Sequence, residues 1–199
     1  ILGDMVGVNS ATTKVDELLN AHTVILWGAN VNELYPPYSR WLELAKGKGV
    51  RIIYIDPRKT RTSLMADMQL RPLPGTDAVL AMGAIRHILK TGAFDVSRAR
   101  FQIEDFDELA KDTEAMDEAK VAEITRLSAA DIVAFYTAVA ESPRTIVWLG
   151  GSLSRYTNGI TGLRSIILLQ ALRDNIIGEG KGLLTFQSGK PSGDDEFVD

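Results

Sequence analysis

The chain has no cysteine among its 199 residues, which excludes disulfides, thiolate zinc and iron–sulfur ligation within this segment. It has two histidines, His22 and His87, so no histidine-based metal cluster can form. Each stands without a set of polar neighbours, one beside a strand start and one inside a helical pattern, and both read as structural. Long apolar runs are also missing. The strongest, Ile166 to Leu172, stops at Arg173 and Asp174, well short of the roughly 18 residues that a membrane span needs; it reads as a buried helix. There is no excess of either charge: 22 basic and 26 acidic residues give −4, without a block of one sign. Nucleic-acid binding, which requires a concentrated basic face, is therefore disfavoured. G-x-G-x-x-G is absent after the first strand, as are a G-x-x-x-x-G-K-[ST] loop and a G-x-S-x-G elbow. Those gaps count against an ordinary NAD-binding domain, a P-loop enzyme and an α/β-hydrolase.

What remains is an ordinary globular composition, 45% hydrophobic and 24% charged, arranged as apolar runs that end abruptly in polar loops. Asp16 to Ala21 reads as a short helix. Thr23 to Trp27 is a continuous apolar run, the pattern of a strand covered on both faces. Pro36-Pro37 opens a helix, because proline at the first helical position forfeits only an unpaired amide, and Gly47 to Gly49 stop it. Val50 to Ile55 is a second strand, which completes a βαβ unit. A helical turn over Thr62 to Ala66, a third strand over Met68 to Leu73 and a helix over Asp77 to Lys90 follow. Ala93 to Met116 is acidic and helical in pieces, with Phe94, Phe101, Phe106 and Leu109 as satellite packing residues. Ser128 to Asp131 is a capping-box candidate that opens a helix ended by Pro143. Thr145 to Leu149 is a fourth buried strand, and Gly162 to Ile177 a long helix stopped by Gly178. These elements predict a three-layer α/β fold, a mostly parallel sheet with helices on both faces in a Rossmann-like, dinucleotide-binding arrangement. The expected organisation is a lead-in over 1–22, the α/β domain over 23–186, and a polar tail over 187–199 leading to a further domain. The chain begins at Ile1, so it reads as an excised piece of a longer protein.

Ligands bind open α/β sheets at the carboxyl ends of the strands, and three strand ends carry the polar groups. Gly28 permits a turned backbone and close ligand approach, and Asn30, Asn32 and Glu33 offer donors and acceptors for a pyrophosphate or ribose. A plain strand-to-helix turn would favour Gly and Asn as well. Asp56 follows the second strand, where dinucleotide folds place a carboxylate on ribose hydroxyls. Pro57 fixes the backbone there, and Arg58 and Lys59 can neutralise phosphate; an exposed Asp–Arg pair is the plainer account. Asp77 follows Pro74-Gly75-Thr76 at a helix start. It is either part of an ordinary N-cap or a carboxylate matched to the N1–H and N2 donors of guanine. The spacing leaves both open.

In combination, Trp27-Gly28-Ala29-Asn30 with Glu33, Ile55-Asp56-Pro57-Arg58 with Thr60, Ala66-Asp67, and Pro74-Gly75-Thr76-Asp77 resemble the molybdopterin guanine dinucleotide oxidoreductases, the family of dimethyl sulfoxide reductase, formate dehydrogenase and periplasmic nitrate reductase. The similarity continues through Ser128 to Ile132 and from Trp148 to Gly159, over most of the chain from about Val15. The resemblance implies molybdenum or tungsten held between two pterin dithiolenes, each pterin carrying a guanosine diphosphate arm, and two α/β domains each binding one arm. This chain is similar to the inserted one. By the same resemblance Gly28, Asn30, Asn32 and Glu33 line the phosphate and ribose part of one arm. Asp56, Pro57, Arg58 and Pro74, Gly75, Thr76, Asp77 meet its nucleoside end. Gly150, Gly151 and Arg155 approach the pterin.

The resemblance further implies a parent oxidoreductase with its remaining domains, room for an iron–sulfur cluster in an N-terminal part outside this segment, and room for an electron-transfer subunit. The segment alone is expected to be inactive. Ser10 and Asp4 read as linker and not as metal ligands. The competing reading is a non-catalytic α/β nucleotide-binding module, of the kind found at the centre of flavin- or thiamine-dependent proteins.

Overall fold

The computed structural model describes residues 2–7 and 10–185. Five parallel strands form one sheet: β1 (Thr23–Trp27), β2 (Arg51–Ile55), β3 (Met68–Leu70), β4 (Thr145–Leu149) and β5 (Gly182–Thr185), in the spatial order β3-β2-β1-β4-β5. Side chains alternate across a strand, and the alternation sorts the core into two layers. Ile25, Trp27, Ile53, Ile55, Val147 and Leu149 face one side, where they meet Leu80, Ile85, Phe135, Ile166 and Leu169. Val24, Leu26, Ile52, Tyr54, Ile146 and Trp148 face the other, against Leu18, Leu42 and Ala45. Both faces of β1 and β4 are thus covered, as their uninterrupted apolar runs require. The three-layer α/β architecture is the one expected.

The helices are α1 (Leu2–Val6), α2 (Val31–Leu34), α3 (Pro36–Gly47), α4 (Asp77–Thr91), α5 (Val96–Gln102), α6 (Phe106–Thr113), α7 (Glu118–Thr125), α8 (Ala129–Glu141) and α9 (Gly159–Leu172). Single turns of 3-10 helix cover Val15–Leu19, Thr62–Met65 and Leu153–Arg155. Pro36 and Pro37 sit in the first turn of α3, and Gly92 closes α4 in the left-handed conformation at φ 68°. Ser128 caps α8 by accepting the Asp131 amide at 3.1 Å.

Several elements differ from expectation. The third strand ends at Leu70 rather than Leu73, because Pro72 and Pro74 cannot donate to a ladder. Helix α9 begins at Gly159 and ends at Leu172; Asp174 then adopts a left-handed φ of 54°, and the Asn175 side chain accepts the Thr145 amide at 3.2 Å, tying the helix end to the start of β4. Phe101 is not a packing residue: it is 91% exposed, whereas Phe94, Phe106 and Leu109 do pack on the core. Asp4 lies within α1 rather than in a linker. Helices α2 and α7 and strand β5 were not anticipated. The lead-in is integrated: Leu2, Met5 and Val6 pack on the core, while Thr12 exchanges hydrogen bonds with Leu183 of β5. The polar tail over 187–199 lies outside the described residues.

Candidate functional site

Gly28, Asp56 and Ser152 stand just beyond the carboxyl ends of β1, β2 and β4, and the β3–α4 loop supplies Pro72 to Asp77. One cleft of about 470 Å³ is lined by these loops, through Gly28, Asp56, Pro57, Arg58, Pro74 and Asp77. Its volume falls in the usual range of small-molecule sites, roughly 300–1,000 Å³. Strand order reverses between β1 and β4, the position at which open α/β sheets form a crevice.

Gly28 holds φ 62°, and a Cβ there would lie 3.2 Å from Ser152 Oγ and 3.3 Å from Leu153. The glycine keeps the β1 and β4 loops together without a side chain between them. Gly150 meets it from the other side: its own Cβ would fall 1.8 Å from the Gly28 carbonyl oxygen. This close packing accounts for Gly150 structurally. Gly151 and Arg155 are exposed on the β4 loop and do not line the cleft, where Ser152, Leu153 and Tyr156 do.

The Asp–Arg pair of the plainer alternative does form, with Arg58 exposed but the Asp56 carboxylate buried at 3% exposure. Asp56 Oδ1 accepts the Arg58 amide at 2.9 Å and Arg58 Nε at 3.3 Å. Hydrogen bonding to Asp56, reinforced by its charge, raises the Arg58 pKa further above its ordinary value. The Arg71 guanidinium donates to the Pro57 carbonyl at 3.1 Å and Gln69 to that of Arg58 at 3.2 Å, so the turn is braced from β3.

Asp77 is not the side-chain cap of α4. Thr76 occupies the N-cap position, but its hydroxyl donates to the Leu73 carbonyl. Asp77 Oδ1 instead accepts the Trp27 indole Nε1–H at 2.7 Å. Burial pushes the Asp77 carboxyl above its ordinary value, the Trp27 hydrogen bond opposes that, and the Asp56 charge adds to it. Gly75 lines a narrower crevice that adjoins the cleft and shares Asp77, Leu153 and Tyr156 with it; Asn158 locks this loop by donating to the Gly75 carbonyl at 2.7 Å.

Asn30, Asn32 and Glu33 are not among the residues lining the cleft and belong to a separate hydrogen-bonded network. Asn30 is buried and donates to Glu33 at 2.7 Å, while its Oδ1 accepts the Thr62 hydroxyl at 2.8 Å; Thr62 in turn accepts the Asn32 amide at 3.0 Å. Asn32 Oδ1 is buried without a hydrogen-bond partner. Sequence reasoning missed Tyr156, an aromatic ring 42% exposed in the cleft wall, although an aromatic residue shortly after a Gly-Gly strand end was a usable signal. Among the described residues no three of His, Asp and Glu gather to hold a metal ion.

A family model described as molybdopterin oxidoreductase matches residues 2–192. The chain belongs to that family. Membership favours the oxidoreductase reading over the non-catalytic nucleotide-binding module, and it implies a molybdopterin cofactor carrying molybdenum or tungsten. Among curated relatives, the alpha subunit of F420-dependent formate dehydrogenase 2 from Methanococcus maripaludis is 29% identical over 92% of this chain and 27% of its own length. The assimilatory nitrate reductase catalytic subunit of Bacillus subtilis is 28% identical over 78% of this chain and 22% of its own length. Formate dehydrogenase H of Escherichia coli is 27% identical over 88% and 24%. This molybdopterin oxidoreductase chain therefore spans about a quarter of the length of those relatives. Among solved structures, acetylene hydratase from Pelobacter acetylenicus superposes with a TM-score of 0.76 at 24% identity, covering 84% of this chain and 24% of that one. That likeness concerns the fold.

Proposed function

We propose that this chain is the domain of a longer molybdopterin oxidoreductase that holds one guanosine diphosphate arm of a molybdopterin guanine dinucleotide cofactor. The supporting observation is the convergence of Gly28, Asp56, Pro57, Arg58, Pro74 and Asp77, drawn from three loops, on one cleft. The donor set suits the group. Asp77 presents a carboxylate to the N1–H and N2 donors of a guanine, and Asp56 accepts from ribose hydroxyls. Arg58 and Lys59, both exposed at the rim, supply positive charge to the diphosphate. Gly28 lets the backbone approach, and Pro74, Gly75 and Thr76 shape the wall beside the base. Asn32 brings a buried acceptor with no internal partner, Glu33 stands beside it, and Asn30 keeps that segment in register. Gly150, Gly151 and Arg155 belong to the pterin side of the same arm.

When bound, the metal–pterin centre supplies two-electron oxidation or reduction, and the protein supplies position and electrostatics. The second arm, a metal ligand, any iron–sulfur cluster and an electron-transfer subunit belong to other parts of the assembly. This segment by itself is inactive in this reading.

The test is Asp56→Ala in the full-length protein. Pterin content, assayed as its fluorescent oxidation product, falls several-fold relative to the native chain. Unchanged content would remove Asp56 from the site. Titration of the cofactor-free protein with GDP, ADP and FAD adds a second arm, in which GDP binds most tightly; a preference for FAD overturns the assignment.

A further inference from the structure

Trp27 ends β1 and is fully buried. Packing alone would ask only for apolar bulk there, and its ring does meet Phe135 edge-on at 5.9 Å. Its one polar atom does something else. The indole N–H leaves the apolar layer and reaches the first residue of α4, donating to Asp77 Oδ1 at 2.7 Å. An indole nitrogen is only a donor, so the contact has one direction and engages one carboxylate oxygen. Asp77 also lines the cleft. The bond joins the end of β1 to the start of α4, fifty residues apart in sequence, and it sets the angle at which the carboxylate meets whatever occupies the cleft.

We propose that Trp27 is a positioning residue: by donating its N–H to Asp77 it fixes the carboxylate against a guanine base and thereby sets base specificity. The proposal rests on the assignment of Asp77 to guanine made above. A carboxylate accepts two parallel donors, N1–H and the N2 amine, only when its plane is aligned with the base edge. Aspartate has two side-chain torsions, and the Trp27 bond ties one of its carboxylate oxygens to the end of β1. The anchor also favours the ionised acceptor. Burial and the Asp56 charge both favour protonation of Asp77, whereas the Trp27 hydrogen bond, and after it the Asp77 backbone amide, oppose it. A protonated carboxyl would set one O–H against the two guanine donors. If Trp27 were only filler for the core, its N–H would have no bearing on which base is bound.

The probes are GDP, IDP and ADP, titrated calorimetrically into the cofactor-free full-length chain. IDP keeps N1–H but lacks the N2 amine; ADP presents an acceptor at N1. In the native protein GDP binds more tightly than IDP by on the order of 10- to 100-fold, the worth of one charge-assisted hydrogen bond in a desolvated site. In Trp27→Phe the GDP-to-IDP preference falls below about 3-fold, while binding of the diphosphate persists in both nucleotides. Should Trp27→Phe fail to fold, benzothienylalanine introduced at position 27 keeps the bicyclic shape and lacks only the N–H; it gives the same collapse of preference. Phe135→Leu loosens the packing around the ring without touching the bond, so it lowers the melting temperature and leaves the preference intact. A native-sized preference in the variants lacking the N–H overturns the inference, as does loss of preference in Phe135→Leu. Absence of any preference for GDP in the native chain instead overturns the Asp77 assignment beneath it.

Discussion

Gly150→Ala is the sharpest perturbation that the structure offers, because everything the new methyl group meets is backbone. The added Cβ would lie 1.8 Å from the Gly28 carbonyl oxygen, 2.3 Å from its carbon and 2.9 Å from the Ala29 nitrogen. The first of these is about 1.6 Å short of ordinary contact, and no side chain can swing away. Relief requires β1 and β4 to part at their carboxyl ends. That strains the 2.8 Å hydrogen bond from the Gly150 amide to the Trp27 carbonyl and the 2.7 Å bond from the Gly28 amide to the Ile55 carbonyl. Overpacking of a tight site costs about 1–3 kcal/mol, and each weakened ladder bond adds about 0.5–1.5 kcal/mol. The sum is roughly 3 kcal/mol or more, a fall in melting temperature of about 6–12 °C for a domain of this size. Gly151→Ala is the control, since no atom lies within 4 Å of its added Cβ; its shift should stay within about 2 °C. Differential scanning calorimetry of the two variants beside the native protein measures both. Equal shifts, or a silent Gly150→Ala, would refute the claim that the two strand ends are in backbone contact. Pterin content should fall with stability in Gly150→Ala, because Gly28 is displaced with it.

Two further changes test the supports of the site. Thr62→Val removes a buried hydroxyl that donates to Asn30 Oδ1 and accepts from the Asn32 amide. Leaving those groups unsatisfied should cost about 1–3 kcal/mol in denaturant unfolding, and a loss under about 0.5 kcal/mol would mean that water replaces the hydroxyl. Glu17 accepts the Gly180 amide first and the Asn20 side chain second, and these bonds hold its carboxyl below the ordinary 4.5. A depressed folded-state value contributes stability that is fully present above the unfolded value and is lost as pH falls through the folded one. Glu17→Gln should therefore be less stable than the native protein at pH 7, with the gap closing as acid takes the pH below 4.5; a gap independent of pH would remove Glu17 from that role.

The strands and the longer helices were legible because their apolar patterns are local. Thr23–Trp27 and Thr145–Leu149 are runs of five consecutive buried residues, and α4 carries its proline–glycine entry and glycine exit in the sequence itself. Strand β5 was not legible: four residues set among Gly178, Gly180 and Gly182 show no pattern of their own, and they form a strand because β4 and Thr12 hydrogen-bond them. Helix α7 was masked by its acidic surroundings, although Asp117 caps it by accepting the Lys120 amide. Phe101 illustrates the opposite error, since hydrophobicity alone cannot tell which face of a short helix turns outward. In the candidate site, the loops carrying Gly28, Asp56 and Asp77 could be named from their strand-end positions. Their partners could not be.

From the amino-acid order alone came the alternation of buried strands with helices, the polar strand ends and the likeness to one family. Each depends on neighbours within a few residues or on motifs in series. Tertiary structure alone decided that Gly150 abuts Gly28, that Trp27 anchors Asp77, and that Asn30 is held by Thr62 instead of facing the cleft. Those contacts join residues 30 to 120 or more positions apart. They exist only because the parallel sheet brings successive carboxyl ends to one edge, and no local periodicity records which groups will then meet.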